Sequence, residues 1–417
     1  MILRVNSQQG FHCLENSLKV INVITPHFTP EITAAAHRID AVVSTLAGEF
    51  KVNVFTLTER GKKAGASQVQ IADNVTVHSI NLPGYAKSMF FIRALYELYY
   101  SIKICKLASD HEADITFVTS PYMFLLPVAT FFSGKSKLIA DVRDLVWCYL
   151  PKNNFIQHLI RSRFEKLISH YITLYDHVTV TNRSEKKWLL ENTSLPNDKI
   201  TILSNGISAE RFERLCSLKY HGKKDPFVIT YVGNIGNGQD LQPLIDTVKN
   251  LKGVRLNIIG DGIEQKKFEQ QIKHDKISNI QLHGKLKWNR ILPFYQSSSV
   301  LYARLGENYN SAIPSKLFEY LSTGLPVIFH GRGEAKELLA QFENTFIVEE
   351  RDNGSLEEVL LQLKKTDPDH SALNRELIAS QYLRGDINQN LFPVIDKLLS
   401  ISAENPINQE SVPLILQ

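Results

Sequence analysis

The chain has 417 residues, 43% of them hydrophobic and 22% charged, which excludes disordered and collagen-like classes and suits two domains of about 200 residues each. Its formal net charge of +4 is too small to indicate nucleic-acid binding, though it suits a phosphate-bearing ligand or an anionic surface. The four cysteines, Cys13, Cys105, Cys148 and Cys216, are far apart and match neither a zinc pattern nor a disulfide framework, so a reducing, cytoplasmic setting is expected.

The first residues, 1–17, are polar and mixed and predict a loose extension. LKVINVIT over 18–25 predicts a strand, the turn-forming PHFTP follows it, and a helix is expected over 31–48. Further strands are predicted over 51–57 and 75–80, then a long helix over 88–109 and strands over 114–119, 137–141, 177–181 and 199–203. The longest apolar run, 121–132, is interrupted by Pro127; it falls short of the roughly 20 residues that span a bilayer and reads as a buried helix. SNGISAERFE and the charged stretch to HGKKDP mark a linker over 205–225, which separates domains at 18–204 and 226–385. The second half repeats the pattern, with strands over 227–232, 254–259, 280–282, 300–303, 326–329 and 345–348. Apolar strands alternating with helices predict an α/β chain of two Rossmann-like domains with parallel sheets facing across a cleft.

Five constellations carry chemistry. YVGNIGNGQDL, with Gly233, Asn234, Gly236 and Gly238, follows a strand and opens a helix; it reads either as a pyrophosphate seat or as an ordinary glycine-rich turn. AIPSKLFEYLSTGLPVI places Pro314 at a helix start, with Ser315, Lys316, Glu319 and Tyr320 behind it. A lysine there suits phosphate and a glutamate suits a ribose diol; the alternative is a surface Lys–Glu pair. His283, Gly284 and Lys285 form a turn after a short strand. Asp141, Arg143 and Asp144 end a first-domain strand, so Arg143 suits a departing diphosphate and Asp144 an acceptor hydroxyl; a structural Arg–Asp pair is the alternative. His27, in the loop after the first strand, is a candidate acid or base on the acceptor side, together with Asp141 and Arg143; His37 and Arg38 follow it on the next helix.

PSKLFEY, VGNIGNGQDL and DVRDL together resemble the GT-B-fold retaining glycosyltransferases of family 4, over about 19–399. The closer resemblance is to bacterial surface-polysaccharide transferases that include N-acetylfucosaminyl enzymes. It implies a nucleotide-sugar donor, leaning to UDP, in the second domain. A glycan or polyprenyl-diphosphate-linked acceptor is implied in the first domain, and a helix over 386–400 crossing back to it before a tail at 401–417. Glu319 matches the second Glu of the family's E-x7-E motif, which binds the donor ribose. The first Glu of that motif falls at Ser311, and the family's Arg and Lys after the glycine-loop strand fall at Asn234 and Gln239. Lys316 then supplies the missing charge, and Arg143, Asp144 and Lys316 are the expected catalytic residues. The turn at His283–Lys285 is expected to pack on the nucleotide base, and Ser204-Asn205-Gly206 to act as a hinge.

The helix over 88–109 mixes aromatic and basic residues and reads either as a peripheral membrane contact or as a core helix with a wet edge. Asp367-Pro368-Asp369 has a metal-type D-x-D spacing but reads as a turn, and no essential metal or cofactor is expected. Two other functions fit the same architecture: a UDP-N-acetylhexosamine 2-epimerase, and a non-catalytic sugar-nucleotide-binding assembly subunit.

Overall fold

Short runs of Val, Ile and Phe, such as VINVI, ITFVT and FVITYV, are buried along nearly their whole length, as strands covered by helices on both faces must be. In the computed structural model, residues 18–31, 33–58, 66–82, 90–150, 154–219, 225–349, 353–366 and 370–404 are described. The expected extension, most of the tail and Asp367-Pro368-Asp369 lie outside them.

Two sheets result. The first contains β1 (Val20–Ile24), β2 (Lys51–Thr58), β3 (Ala66–Ala72), β4 (Val75–Asn81), β5 (Ile115–Thr119), β6 (Lys137–Val142), β7 (His177–Val180) and β8 (Ile200–Ile202), in the order β3-β4-β2-β1-β5-β6-β7-β8. Every pairing in it is parallel except β3 with β4. The second contains β9 (Phe227–Val232), β10 (Val254–Ile259), β11 (Ile280–Leu282), β12 (Val300–Arg304), β13 (Val327–His330) and β14 (Thr345–Val348), in the parallel order β11-β10-β9-β12-β13-β14. Strand order reverses beside β1 in one sheet and beside β9 in the other. The loops leaving these two strands therefore open at the crevices where doubly wound sheets take ligands.

The first half carries α1 (Ala34–Leu46), α2 (Phe90–Ser109), α3 (Leu125–Ala129), α4 (Phe155–Ile172) and α5 (Arg183–Asn192), and α6 (Ala209–Cys216) follows β8. The second half carries α7 (Gln242–Val248), α8 (Gln265–His274), α9 (Leu292–Ser297), α10 (Lys316–Thr323), α11 (Glu334–Leu339), α12 (Asn353–Thr366), α13 (Ala372–Gln381), α14 (Arg384–Gln389) and α15 (Phe392–Glu404). Side-chain caps start several of them: Thr33, Asn154, Asn182, Ser208 and Ser371 each accept a first-turn N–H. None of the described helices is long and apolar enough to cross a membrane.

On one face of the first sheet, Tyr100, Ile104 and Cys105 of α2, Leu125 and Leu126 of α3, and Ile168 and Ile172 of α4 fill one apolar cluster. On the other, Ile39, Val42 and Val43 of α1 share a cluster with Leu391, Val394, Ile395 and Leu398 from the last segment of the chain. Phe50 and Phe392 stack there with ring centroids 6.1 Å apart. The run at 121–132 forms only the short helix α3, whose five residues are all buried.

Candidate active site

At the carboxyl edge of the second sheet, the loops after β9 and β10 meet backbone to backbone. Gly233 N donates to Ile259 O at 3.0 Å, and Ile235 N to Asp261 O at 2.8 Å. Gly260 has φ +149, and a Cβ there would lie 1.7 Å from Gly233 O. Gly262 is equally confined, with a built Cβ 2.2 Å from Ile235 O. Only glycine fits such an approach, so Gly260→Ala is expected to displace the Gly233–Gly238 loop. Nucleotide-induced stabilisation in a thermal melt should fall with it, and an unchanged melt and unchanged nucleotide response would contradict the packing described.

Asn234 Nδ2 donates to Gln239 Oε1 at 3.0 Å, so these two neutral residues tie the loop to itself. The helix expected directly behind the loop begins only at Gln242 and has seven residues, so loop peptides rather than a long helix dipole are the local donors. In the neighbouring turn, Gly260 N donates to Gly284 O at 2.9 Å, and Gly284 has φ +66. His283 Nε2 lies 2.9 Å from Asn257 Oδ1 and its ring 4.6 Å from that of Phe294. Burial lowers its pKa, which favours the neutral ring. Lys285 is exposed beside it.

The helix α10 is joined to this edge by Tyr320, whose hydroxyl accepts from Val232 N at 2.8 Å and donates to Val232 O at 3.2 Å. One residue earlier, Glu319 is only 5% exposed, which rules out the surface-pair alternative. Lys316 Nζ lies 2.8 Å from both of its oxygens. Arg211 Nη1 donates to Oε1 at 3.1 Å, and Trp288 Nε1 and the Tyr295 hydroxyl donate to Oε2 at 3.2 and 3.0 Å. Burial alone would raise the carboxyl pKa; the Lys316 and Arg211 charges outweigh it, and the pKa falls below the ordinary value. Glu319 is therefore an ionised carboxylate whose acceptor sites are occupied by four side chains. Pro314 O caps the helix start by accepting from Leu317 N at 3.0 Å, and Ser315 stands at the N-cap without a side-chain cap bond.

Across the cleft, the DVRD segment divides in two. Asp141 is 0% exposed. It binds Arg38 Nη2 at 2.9 Å and Nε at 3.3 Å, and accepts from Thr119 and Thr179 at 2.9 and 2.8 Å. The expectation that Asp141 meets an acceptor is thereby corrected: buried and surrounded by four donor contacts, it anchors Arg38. Arg38 Nη1 in turn reaches Ser204 O at 3.3 Å and Asn205 Oδ1 at 3.5 Å at the connection between the sheets. Arg143 and Asp144 are partly exposed. Arg143 Nε is buried without a hydrogen-bond partner among the described residues. Burial raises the Asp144 pKa, with Arg143 and Arg38 opposing the rise. His27 Nδ1 pairs with Glu31 at 2.9 Å, and its ring lies 6.1 Å from that of Tyr122.

Several side chains bridge the two halves. The Tyr149 hydroxyl lies 3.1 Å from Ser311 Oγ, and Asn182 Nδ2 donates to Ser311 O at 2.7 Å. The Tyr149 and Tyr309 rings are 4.9 Å apart. Arg211 Nη2 meets His37 Nε2 at 2.9 Å, and Arg384 Nη1 reaches His37 O at 3.4 Å. Burial, Arg211 and Arg384 lower the His37 pKa to about 4, so the ring is neutral and accepts from Arg211 at neutral pH. Arg384 itself is lowered to about 10 by burial and by Arg211, with Arg38 and Arg143 adding to the repulsion and Glu319 opposing it. The edges of the two sheets thus gather Arg211, Arg384 and Lys316 around Glu319, with Arg143 on the far side of Arg384 beside Asp144.

Sequence reasoning misses Arg211, Trp288, Tyr295 and Arg384, because each comes from a different segment. It also misses Gly260 and Gly262, although I-G-D-G after a strand carries the same glycine signal as Gly233 and Gly236.

Sequence models of known families match both halves. One described as "Glycosyltransferase Family 4" matches residues 35–211, and one described as "Glycosyl transferases group 1" matches residues 226–365. An uncharacterized glycosyltransferase of Methanocaldococcus jannaschii is 22% identical over 244 residues, 55% of this chain and 68% of the relative. Among solved structures, sucrose-phosphate synthase of Thermosynechococcus elongatus superposes with a TM-score of 0.72 at 13% identity, over 92% of this chain and 100% of the other. HepE of Anabaena in complex with UDP superposes with a TM-score of 0.61 at 14% identity, over 91% and 100%. The fold is thus the GT-B arrangement of two parallel-sheet domains, and the chain, with a family 4 domain followed by a group 1 domain, is a glycosyltransferase.

Proposed function

We propose that the chain moves a sugar from a UDP-linked donor, bound by the domain at 226–385, to a glycan or lipid-linked glycan held by the domain at 18–204. The observation that carries this reading is the gathering of Lys316, Arg211 and Arg384 around the buried carboxylate Glu319, with Arg143 near enough to Arg384 to repel it. Three cations on one carboxylate leave positive charge for a diphosphate, which offsets the neutral Asn234–Gln239 pair in the glycine loop. The UDP bound to HepE supports the choice of nucleotide.

In this reading the diphosphate draws Lys316 off Glu319, and the ribose hydroxyls take the acceptor positions that Lys316 vacates. The Gly233–Gly238 loop, Ser311, Pro314 and Ser315 shape the donor site, and the turn at His283, Gly284 and Lys285 packs on the base. The bond from sugar C1 to the diphosphate oxygen breaks as C1 bonds to the acceptor oxygen on the same face, with retention of configuration. Arg143 and Lys316 stabilise the departing diphosphate. The acceptor proton passes to the leaving phosphate oxygen, and Asp144 orients the acceptor hydroxyl beside His27. No step calls on a metal or other cofactor. Closure of the two domains excludes water.

The donor sugar in this proposal is an N-acetylated deoxyamino sugar. The acceptor is a polyprenyl-diphosphate-linked glycan of surface-polysaccharide synthesis, such as O-antigen or capsule, reached by a cytoplasmic enzyme peripheral to the inner membrane. Thermal melts with UDP, uridine, GDP, ADP and CMP test the donor half of the proposal. UDP is expected to raise the midpoint, by mass action on the folded state. Uridine, which lacks the diphosphate that displaces Lys316, is expected to leave it in place. Equal shifts with uridine and UDP would mean that the diphosphate does not bind at Lys316, no shift with any nucleotide would overturn the donor site, and a UDP shift without transfer to a matched acceptor would favour the non-catalytic alternative.

A further inference from the structure

A water-facing helix normally exposes polar residues and buries apolar ones. The helix α4 does not follow this rule. Phe155 is 81% exposed and Ile156 67%, and Leu159, Ile160 and Leu167 are exposed with them. At 3.6 residues per turn these side chains share the outward face with Arg163, Lys166 and His170. Glu165, the only acid of the helix, is paired to Arg161 at 2.7 Å and lies off that face.

The helix α2, on the other side of α3, repeats the arrangement. Leu95 is 69% exposed, with Ile92, Tyr99 and Ile102 also outside. Lys103 and Lys106 accompany them, and the single acid, Glu97, is buried against Arg93. Both helices pack on α3 and fill the same face of the first sheet, so their outer faces belong to one side of the molecule. Phe131, 69% exposed, stands at the end of α3 with its ring 5.5 Å from that of Tyr171 on α4.

We infer that this face docks on an anionic lipid bilayer, with α4 as the principal inserting helix and α2 beside it. The occupant follows from charge complementarity: both helices present apolar side chains interleaved with cations, and neither exposes an unpaired acid. That is the composition of a helix lying in a headgroup layer, apolar groups among the acyl chains and cations against lipid phosphates. Asp110, exposed just past the end of α2, places one acid at the rim of this face beside Lys103 and Lys106, but on the two helices themselves a protein partner of mixed charge would meet no free acid with which to pair its own cations. The position also suits the function. A short connection links α4 to Tyr149, which touches Ser311 across the cleft, so docking by α4 sets the cleft mouth near the membrane. This deepens the proposal of a lipid-linked acceptor and rests on it for its biological purpose, but the surface chemistry stands without it.

The test is co-sedimentation of the full chain with vesicles of phosphatidylcholine alone and of phosphatidylcholine mixed with phosphatidylglycerol. Binding is expected to the mixed vesicles, to weaken with added salt and to be slight on the neutral ones. Phe155→Glu with Leu159→Glu should abolish it. Arg163→Gln with Lys166→Gln should weaken it by about fivefold per cation removed. The UDP-induced midpoint shift of each variant should match the wild type, which separates loss of docking from loss of the donor site or of the fold. Equal binding to both vesicle types, no binding to either while the UDP shift is intact, or variants that sediment like the wild type would each overturn the inference. So would a solution dimer that Leu159→Glu converts to a monomer, because a second copy would then cover the face.

Discussion

Replacing Glu319 with Gln is expected to remove the UDP-induced rise in melting midpoint and to lower transfer efficiency. Hydrogen bonds to a charged group contribute about 1.5–3 kcal/mol each, which corresponds to roughly 10- to 150-fold in kcat/KM. The carboxylate is 5% exposed, with Lys316, Arg211, Trp288 and Tyr295 all donating to it. An amide keeps one oxygen for two of these donors but turns an NH2 group toward the others. The variant therefore also pushes Lys316 and Arg211 apart from their counter-charge, and its midpoint without ligand should fall. The pH dependence follows in sign. The folded pKa lies below the unfolded one, so the ion-paired contribution is fully present above the unfolded value of about 4.3. It is lost as pH falls through the folded pKa. Titration of the midpoint between neutral pH and pH 3 should show a shallower acid decline in the variant. A Gln variant that binds UDP like the wild type would remove Glu319 from the donor site.

The second large effect is expected at Asp141. Asp141→Ala leaves the Arg38 charge buried without its partner, which costs roughly 3–5 kcal/mol, or about 10 °C of melting midpoint for a domain of this size. The double variant Arg38→Met with Asp141→Leu removes both charges and should lose less than Asp141→Ala alone, because an unpaired buried charge is worse than none. Burial raises the Asp141 pKa, and the Arg38 charge and hydrogen bond lower it by more, for a net fall. Its stabilisation is therefore also present above the ordinary carboxylate range and lost as acid takes the pH through the folded pKa. Because Arg38 reaches Ser204 and Asn205 as well, its loss should loosen the connection between the sheets. A matching rise in donor KM, with no such rise in a control variant of equal instability, would separate this positioning effect from simple unfolding. A double variant less stable than Asp141→Ala would contradict the account.

The alternating pattern of apolar strands is legible in the sequence because nearly every strand is buried on both faces, and 227–232, 254–259, 280–282 and 345–348 coincide with β9, β10, β11 and β14. The edge strand β3 is not legible, because all seven of its residues are exposed and it pairs only with β4. The helix α4 escapes a periodicity reading for a related reason: its apolar residues point both inward and outward, so no single stripe stands out. Asp141 reads from sequence as a cleft residue because its partner lies 103 positions earlier, on a helix where an arginine ordinarily faces water. Glu319 and Lys316 are legible as a pair because they are one turn apart. The enclosing side chains of Arg211, Trp288 and Tyr295 are assembled by the fold alone.

The apolar cluster under α1 has a consequence for biosynthesis. Leu391, Val394, Ile395 and Leu398 fill it together with Ile39, Val42 and Val43, although translation separates the two groups by most of the chain. While the intervening residues are being made, the nascent first domain waits with an open apolar seam that only the last segment closes. Its folding is therefore completed only once residues 391–398 have emerged, and the seam is a chaperone-sized target until then.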